Sequence, residues 1–232
     1  MMNENNDINA GTEEYPYYRY SVGLDIGQVS DSSAIAVIKR SWRFDEWRKI
    51  HYHYYCGYLH RWPLGTKYNQ IIEDTTALCL DQAFLGQAKA GGHWRRFGPV
   101  LAVDATGVGS PIIEGILSSH SRVNGYGIII TGGTTHAPLK GRRGYSVPKK
   151  DLIGSITKEL QSGKLTISRE LKQAPVLLKE LKDFRAFTSA SGNEKLEHRS
   201  GRNDDLVLAI SMACWISTKA CLPAMALSQF WK

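Results

Sequence analysis

The sequence predicts a mixed α/β fold in which an antiparallel meander is followed by parallel strands, with helices on both faces of the sheet. Two observations support this prediction. Three strand patterns with short links come first, and strand and helix patterns alternate after them. Consecutive strands with short links pair antiparallel, whereas strands that alternate with helices pair in parallel through crossover connections.

The predicted meander occupies the first quarter of the chain. Its strands cover residues 20–28, 33–40 and 49–59, with a turn at residues 29–32. Residues 34–38 are apolar at every position, which is typical of a central strand that is covered on both faces. The third strand is rich in β-branched and aromatic residues. Residues 64–90 contain a helix with one apolar stripe.

Alternating elements follow in the second part of the chain. Strands are predicted at residues 99–104 and 125–131, with a helix between them that is capped by Ser110, begins at Pro111 and ends near residue 119. Residues 132–148 are glycine-rich and basic and are predicted to form a long mobile link. Helices are expected at residues 149–162, 171–184 and 204–220, with a hairpin at residues 184–198. Residues 1–17 form a predicted disordered tail, and residues 18–232 form a single domain.

Composition excludes several classes of protein. The chain has 232 residues, of which 42% are hydrophobic, enough for a substantial core. It contains no apolar run that approaches a membrane span and no signal-peptide pattern. Its four cysteines have no CxxC spacing, so we expect reduced thiols and a cytoplasmic location. The sequence contains no P-loop, no zinc-ligand spacing and no Gly-x-Ser-x-Gly motif.

The charge distribution favours a polyanionic partner. The net charge is +7, although residues 1–14 contain four acidic residues and no Lys or Arg. The rest of the chain is therefore more basic than the total suggests. A basic excess of this size is typical of proteins that bind nucleic acid, although basic surfaces also aid solubility.

Acidic residues follow or begin apolar segments that are far apart in the sequence. Asp25 and Asp104 each end a strand pattern, and Asp204 and Asp205 open the last helix. A buried carboxylate must be solvated, paired or bound to a cation, and strands that are parallel neighbours would bring Asp25 and Asp104 to one sheet edge. Converging carboxylates form the kind of site that Mg²⁺ or Mn²⁺ prefers, and such sites support phosphodiester cleavage.

Each of these acids also has an ordinary structural interpretation. Asp25 and Asp104 can be turn-forming acids at strand ends, and Asp204 and Asp205 can complement the helix macrodipole. Asp205 is the preferred metal ligand because it shares a helix stripe with small residues such as Ala209, which allow close packing on a sheet. Asp204 is the second choice.

A basic, glycine-rich segment and the residues before the last helix supply the candidate DNA-binding residues. Basic side chains on such segments contact phosphates without reading the base sequence, and a solvated loop is the alternative interpretation. Arg residues just before the paired acids would suit a phosphate group. The candidates are Lys140, Arg142, Arg143, Lys149, Lys150, Arg199 and Arg202.

Four short motifs stand in a fixed order along the chain. They are Gly23-Leu24-Asp25-Ile26-Gly27 with Asp31-Ser32-Ser33-Ala34-Ile35, then Val103-Asp104-Ala105-Thr106-Gly107-Val108-Gly109-Ser110-Pro111, then Lys150-Asp151-Leu152-Ile153, and finally Asn203-Asp204-Asp205-Leu206-Val207-Leu208-Ala209. In this order they resemble the nuclease domain of phage terminase large subunits. The resemblance covers residues 18–220 and depends most on the second and fourth motifs together.

The resemblance implies an RNase H-like fold and a metal-dependent endonuclease that cuts double-stranded DNA during genome packaging in the bacterial host cytoplasm. Asp25, Asp104 and Asp205, with Asp204, would hold two divalent cations, Mg²⁺ or Mn²⁺. It also implies a separate packaging ATPase, a portal or a small terminase subunit as partners. The chain has Asn203 where the family often has His, and it lacks the family's ATPase motor domain. We therefore expect an excised domain, a split subunit or a stand-alone relative.

Three alternative functions remain compatible with the sequence. An actin-like or sugar-kinase-type ATP-binding protein also has Asp-x-Gly phosphate loops, although such proteins need two domains around a cleft. A non-catalytic DNA-binding module would bind DNA without cleaving it. A Holliday-junction resolvase or another RNase H-like nuclease would differ in its preferred nucleic-acid substrate.

Overall fold

A computed structural model of the protein describes residues 16–27, 31–90, 93–188 and 204–220. The strands are β1 (Tyr17–Asp25), β2 (Ala34–Phe44), β3 (Ile50–Arg61), β4 (Gly86–Ala90), β5 (His93–Phe97), β6 (Val100–Asp104), β7 (Asn124–Thr131), β8 (Ala137–Pro138), β9 (Gly144–Pro148) and β10 (Leu165–Ile167). The helices are α1 (Tyr68–Leu80), a 3₁₀ helix at Gln82–Phe84, α2 (Gly109–Ser119), α3 (Lys149–Gln161), α4 (Ala174–Thr188) and α5 (Asp205–Ala220).

The strands form one mixed sheet in the order β10-β3-β2-β1-β6-β7-β9-β8. The pairs β1–β2 and β2–β3 are antiparallel, whereas β6 and β7 are parallel to β1 and to each other. The antiparallel pair of β4 and β5 joins the sheet at the start of β1. The predicted fold class, an antiparallel meander followed by parallel strands, is confirmed.

Strand β2 is covered on both faces, as its continuous apolar sequence predicts. Ala34, Ala36 and Ile38 contribute to the core that contains α3, α4 and α5. Ile35 and Val37 point to the opposite face and contribute to the core that contains α1 and α2. Successive side chains of a strand point to opposite faces of its sheet, so a two-sided core requires apolar residues at every position.

The helix predicted within residues 64–90 is confirmed as α1, and the end of this span forms a 3₁₀ turn and a strand that were not predicted. Helix α1 ends at Leu80, and the side chain of Asp81 accepts a hydrogen bond from the Ala83 amide at 2.8 Å, which starts a 3₁₀ turn instead. A Cβ atom on Gly86 would lie 2.7 Å from the Tyr18 carbonyl oxygen. This segment therefore lies directly against the backbone of β1 and pairs as strand β4.

The predicted mobile link at residues 132–148 is also wrong in its second half. Residues 144–148 form strand β9, which pairs in parallel with β7 from Gly127↔Gly144 to Thr131↔Pro148. A Cβ atom on Gly144 would lie 2.1 Å from the Gly127 carbonyl oxygen, so glycine permits the close approach of the two strands. The glycine content that suggested a loop instead allows strand pairing.

Two local predictions about helix ends are corrected as well. Helix α2 begins at Gly109 after Val108, and the Ser110 hydroxyl donates to the Ala105 carbonyl oxygen at 2.9 Å, so Ser110 lies inside the first turn and is not the N-cap. Helix α4 continues to Thr188, beyond the predicted end at residue 184. The remainder of the predicted hairpin at residues 184–198 lies outside the described residues.

Two predictions from composition can be compared with the described part of the chain. No helix among its residues is long and apolar enough to span a bilayer. Cys56, Cys79 and Cys214 are buried and form no disulfide, as predicted. Residues 1–15 and 221–232, which include Cys221 and most of the predicted tail, lie outside the described residues.

Candidate functional site

Asp25 and Asp104 lie at the same edge of the sheet because their strands are parallel neighbours. The β1–β6 register pairs Leu24 with Val103, and each aspartate is the next residue of its strand. Asp25 is buried, and Asp104 is half-buried. The parallel pairing of β1 with β6, on which the predicted proximity of Asp25 and Asp104 depended, is confirmed.

Helix α5 lies directly on β1 and begins at the same edge. A Cβ atom on Gly23 would lie 2.0 Å from the Ala209 carbonyl oxygen and 2.6 Å from the Ala213 amide nitrogen. Glycine on the strand and alanine on the helix thus allow the backbones to approach closely, which agrees with the predicted role of the small residues. Asp205, the first residue of α5, is buried.

Four carboxylates interact at this edge. Burial raises the pKa of Asp25 well above its usual value, and the negative charges of Asp104, Asp204 and Asp205 raise it further, while the Lys149 cation opposes the shift. The β1–β6 pairing and the close contact of α5 with β1 bring the three chain segments that carry these carboxylates to the same edge of the sheet. The sheet edge is an acidic cluster within a basic protein.

Asp104 is oriented by hydrogen bonds. Burial raises the pKa of its carboxyl group, while bonds from Thr106, and one shared with Asp25, act in the opposite direction. The Thr106 amide donates to Asp104 Oδ1 at 2.8 Å, and the Thr106 hydroxyl accepts from the Ile130 amide at 3.0 Å. The loop after β6 therefore fixes the carboxylate against β7.

Asp204 pairs with a lysine that the sequence assigned to a DNA-binding loop. Lys149 Nζ donates to Asp204 Oδ2 at 2.6 Å, and both side chains are largely shielded from solvent. Lys149 is the first residue of α3 and follows strand β9 directly. Its position agrees with the helix predicted to begin at residue 149, and its contact with DNA stays a prediction.

Asp205 belongs to a buried ion-pair network that the sequence did not predict. Arg61 Nε lies 3.2 Å from Asp205 Oδ2, and Arg61 also donates to the Glu180 carboxylate. The second oxygen of Glu180 accepts from the Val207 amide at 3.2 Å in the first turn of α5. Arg61 thus connects the end of β3 to the acidic start of α5.

The two carboxyl groups of this network have raised pKa values. Burial raises the pKa of Glu180 to about 7 and that of Asp205 to about 6, and Arg61 opposes both shifts. One sequence signal could have revealed Glu180. It lies three residues after the buried Leu177 on α4, so a carboxylate stands on the apolar stripe of this helix.

The chemistry of the cluster fits a hard divalent cation, but its carboxylates do not already converge. Carboxylate oxygens are the preferred ligands of Mg²⁺ and Mn²⁺. Asp205 Oδ2 is buried and receives no hydrogen bond from any described residue. However, no three His, Cys, Asp or Glu side chains in the described ranges are arranged to hold a metal ion. Asp204 and Asp205 instead face Lys149 and Arg61.

The remaining predicted DNA-binding residues differ in exposure and in contacts. Lys140 and Arg142 are exposed just before β9, and Lys150 is half-buried in the first turn of α3. Arg143 is held in place, because it donates to Asn124 Oδ1 at 2.7 Å and packs 4.6 Å from the centre of the Tyr126 ring. Arg199 and Arg202 lie outside the described residues.

Comparison with solved structures identifies the fold. The chain superimposes on the large terminase nuclease from thermophilic phage G20c with a TM-score of 0.50 over 85% of this chain and 82% of that one. The fold is RNase H-like. The two sequences are 19% identical in this comparison, so the similarity is one of architecture.

The sequence comparisons add no family assignment. No protein-family model matches the chain, and a search of curated proteins finds no match. The resemblance to terminase nucleases that the motifs suggested is thus supported by the RNase H-like fold, and the roles of individual residues remain predictions.

Proposed function

We propose that this protein is a divalent-metal-dependent endonuclease that cleaves double-stranded DNA. The observation that supports the proposal most strongly is the position of four acidic residues from three chain segments at one edge of an RNase H-like sheet. Asp25 and Asp104 end parallel neighbouring strands, and Asp204 and Asp205 stand at the start of the helix that packs on β1. Lys149 and Arg61 offset part of this negative charge in the metal-free protein, and divalent cations bound by the same carboxylates would offset it further.

Asp25, Asp104, Asp204 and Asp205 would hold two ions, Mg²⁺ or Mn²⁺. When bound, such a pair activates a water molecule for attack on phosphorus and stabilises the leaving oxygen. The protein's own contribution is orientation. Thr106 fixes the Asp104 carboxylate, and the Arg61–Glu180 pair fixes Asp205 at the start of α5.

Lys140 and Arg142 would bind the DNA backbone beside the carboxylate cluster. They precede β9, whose Tyr145 is level with Ile128 and Asp104 in the sheet. Neighbouring strands are about 4.8 Å apart, so β9 lies on the order of 10 Å from β6 along the sheet. Exposed bases at this distance would bind the phosphate backbone without reading its sequence. Lys150, Arg199 and Arg202 are further candidates for the same role.

The RNase H-like fold that is shared with a terminase nuclease suggests a role in phage genome packaging. In that role the protein would act with a packaging ATPase and with a portal or a small terminase subunit.

Digestion of supercoiled plasmid with each cation, and with EDTA, tests the proposal. We expect the wild-type protein to nick and linearise the plasmid with Mn²⁺ or Mg²⁺, and Asp25→Asn to bind DNA with no cleavage. Glu73→Gln is the matched control, because it removes one charge from an exposed position on α1. Equal cleavage by a folded Asp25→Asn variant would reject the assignment.

The same experiment separates the alternative functions. Salt-sensitive DNA binding without any cleavage in either cation would indicate a non-catalytic binding module. Thermal stabilisation by ATP without DNA cleavage would indicate an ATP-binding protein. Preferential cleavage of a four-way junction or an RNA–DNA hybrid over linear duplex would indicate another RNase H-like nuclease.

A further inference from the structure

Lys149 reaches the acidic edge of the sheet from the start of α3. Its Nζ atom lies 2.6 Å from Asp204 Oδ2. Strand β9, which Lys149 directly follows, pairs with β7 beside β6, and Asp204 directly precedes helix α5, which packs on β1. The ammonium group therefore lies at the sheet edge where Asp25 ends β1 and Asp104 ends β6.

Arg61 and Lys149 neutralise the cluster in different ways. Arg61 is anchored by two carboxylates, Glu180 and Asp205, and its side chain is 16% exposed. Lys149 is 24% exposed, and Asp204 is 18% exposed. A lysine head group on a flexible four-carbon stem can leave a partner and enter solvent at little cost, whereas a guanidinium held by two carboxylates cannot.

We propose that Lys149 is a resident cation, which neutralises the carboxylate cluster in the metal-free protein and releases Asp204 when a divalent ion binds. This inference rests on the proposed function and extends it. It explains why the carboxylates do not already form a three-ligand group, because Asp204 is turned toward Lys149. It also gives Lys149 a role in the site that differs from the predicted contact with the DNA backbone.

Two effects of removing the lysine charge follow from this role. The metal-free protein loses stability, because the carboxylates then repel one another without a counter-charge. The divalent ion binds more tightly, because it no longer competes with an ammonium group for Asp204. A lysine that served only DNA binding would produce neither effect in DNA-free protein.

Titration of DNA-free protein with Mn²⁺ tests the inference by calorimetry and by thermal denaturation. We expect Lys149→Met to melt at a lower temperature than wild type in EDTA and to reach half-saturation at about 2- to 5-fold lower Mn²⁺, the range expected for removing one partly exposed ion pair. Lys149→Gln should behave alike, which excludes an effect of methionine packing. Lys150→Met makes the same charge change one residue later and should titrate as wild type does.

Unchanged or weaker Mn²⁺ binding by a folded Lys149→Met variant would overturn the inference while leaving the proposed function intact, provided that wild type still binds Mn²⁺ and cleaves DNA. An equal gain in affinity for Lys150→Met would also overturn it, because general electrostatics would then explain the effect. Absence of divalent binding in wild type and in both Lys149 variants would reject the inference and the proposed function together.

Discussion

Asp25 shows at the scale of one residue how this site differs from an ordinary strand end. The carboxylate is buried, and three other carboxylates raise its pKa. A side chain selected for stability alone would not be acidic here, because burial and like charge both oppose ionisation. Local instability that serves function is common at active sites.

Asp25→Asn should therefore stabilise the metal-free protein while it abolishes cleavage. Asparagine keeps the size of the side chain and removes one of the repelling charges. We expect the melting temperature in EDTA to rise by roughly 2–4 °C, which corresponds to ~1 kcal/mol for a chain of this length. Differential scanning calorimetry measures the shift, with Glu73→Gln as the control. A lower melting temperature for Asp25→Asn would contradict this view of the cluster.

Glu180 provides a second test at the residue scale, through the pH dependence of stability. Its pKa is raised from 4.5 to about 7, mainly by burial. The folded state then binds more protons than the unfolded state between these values, so Glu180 makes unfolding easier as pH rises through this range. Glu180→Gln keeps the side-chain size and cannot ionise.

We expect wild type to lose stability relative to Glu180→Gln as the pH is raised from about 4.5 to 7 in EDTA. Urea denaturation at several pH values gives the difference in unfolding free energy between the two proteins. Groups remote from residue 180 titrate alike in both proteins, so the difference reports Glu180 together with Asp205, which shares Arg61 with it. A difference that does not change with pH, or that changes in the opposite direction, would show that Glu180 is already ionised in the folded protein.

At the scale of secondary-structure elements, the site depends on the contact between β1 and α5. The helix carries Asp205, the strand carries Asp25, and Gly23 lies where their backbones meet. Side chains larger than hydrogen at residue 23 would push the helix away and separate the carboxylates. The packing of two elements thus determines the geometry of the site.

Gly23→Ala should destabilise the protein by about 1–3 kcal/mol through overpacking, and cleavage should fall further than the decrease in folded protein explains. Urea denaturation and plasmid digestion at a temperature where the variant is folded measure the two effects. Gly154→Ala is the control, since nothing lies within 4 Å of a Cβ atom on this helical glycine. That variant should be neutral or slightly more stable. A fully stable and active Gly23→Ala protein would refute the close contact.

The sequence predicts those elements whose hydrophobic pattern agrees with the residues at their ends. Strand β6 and helix α5, predicted at residues 99–104 and 204–220, are apolar segments with an acid at one end, and their observed bounds differ by one residue. Strands β1 and β2 were predicted at residues 20–28 and 33–40, and the structure has them at Tyr17–Asp25 and Ala34–Phe44. Strands β4 and β9 were missed because their glycines, Gly86 and Gly144, allow strand contact rather than a turn. Such contacts depend on tertiary structure and leave no local signal.

The site was predictable to the same extent. Acids that terminate apolar segments are conspicuous in a sequence, so Asp25, Asp104, Asp204 and Asp205 could be grouped before their positions were known. The partners Arg61 and Lys149 could not, because an ordinary basic residue gives no indication of which acid it will meet. Lys149 in particular resembled its basic neighbours in sequence and differs from them only in its position.

The whole molecule combines opposite charges at two scales. The chain carries a net charge of +7, while its sheet edge holds a cluster of carboxylates. The overall field would attract DNA, and the local field would attract divalent cations. Both are needed to bring a phosphodiester to a cation site, since the acids alone would repel the backbone.

The Lys140→Gln/Arg142→Gln double variant should weaken duplex binding at all sequences alike. We expect the slope of log affinity against log salt to fall by roughly 2, about one for each phosphate that is no longer neutralised. Fluorescence anisotropy with two unrelated duplexes, in EDTA and at several salt concentrations, measures both quantities. Lys179→Gln/Lys182→Gln removes the same charge from exposed positions on α4 and should leave the slope nearly unchanged. Equal slopes for wild type and the first double variant would contradict the proposed DNA route.

A crystal structure with Mn²⁺, analysed through the anomalous signal of the metal, would be the most decisive experiment on the proposed cation site. We expect one or two anomalous peaks within bonding distance of Asp25 and Asp104 and of at least one of Asp204 and Asp205, with Lys149 moved away from Asp204. Peaks elsewhere, or carboxylates that remain paired with Lys149 and Arg61 at saturating Mn²⁺ in a protein that still cleaves DNA, would contradict the proposed site.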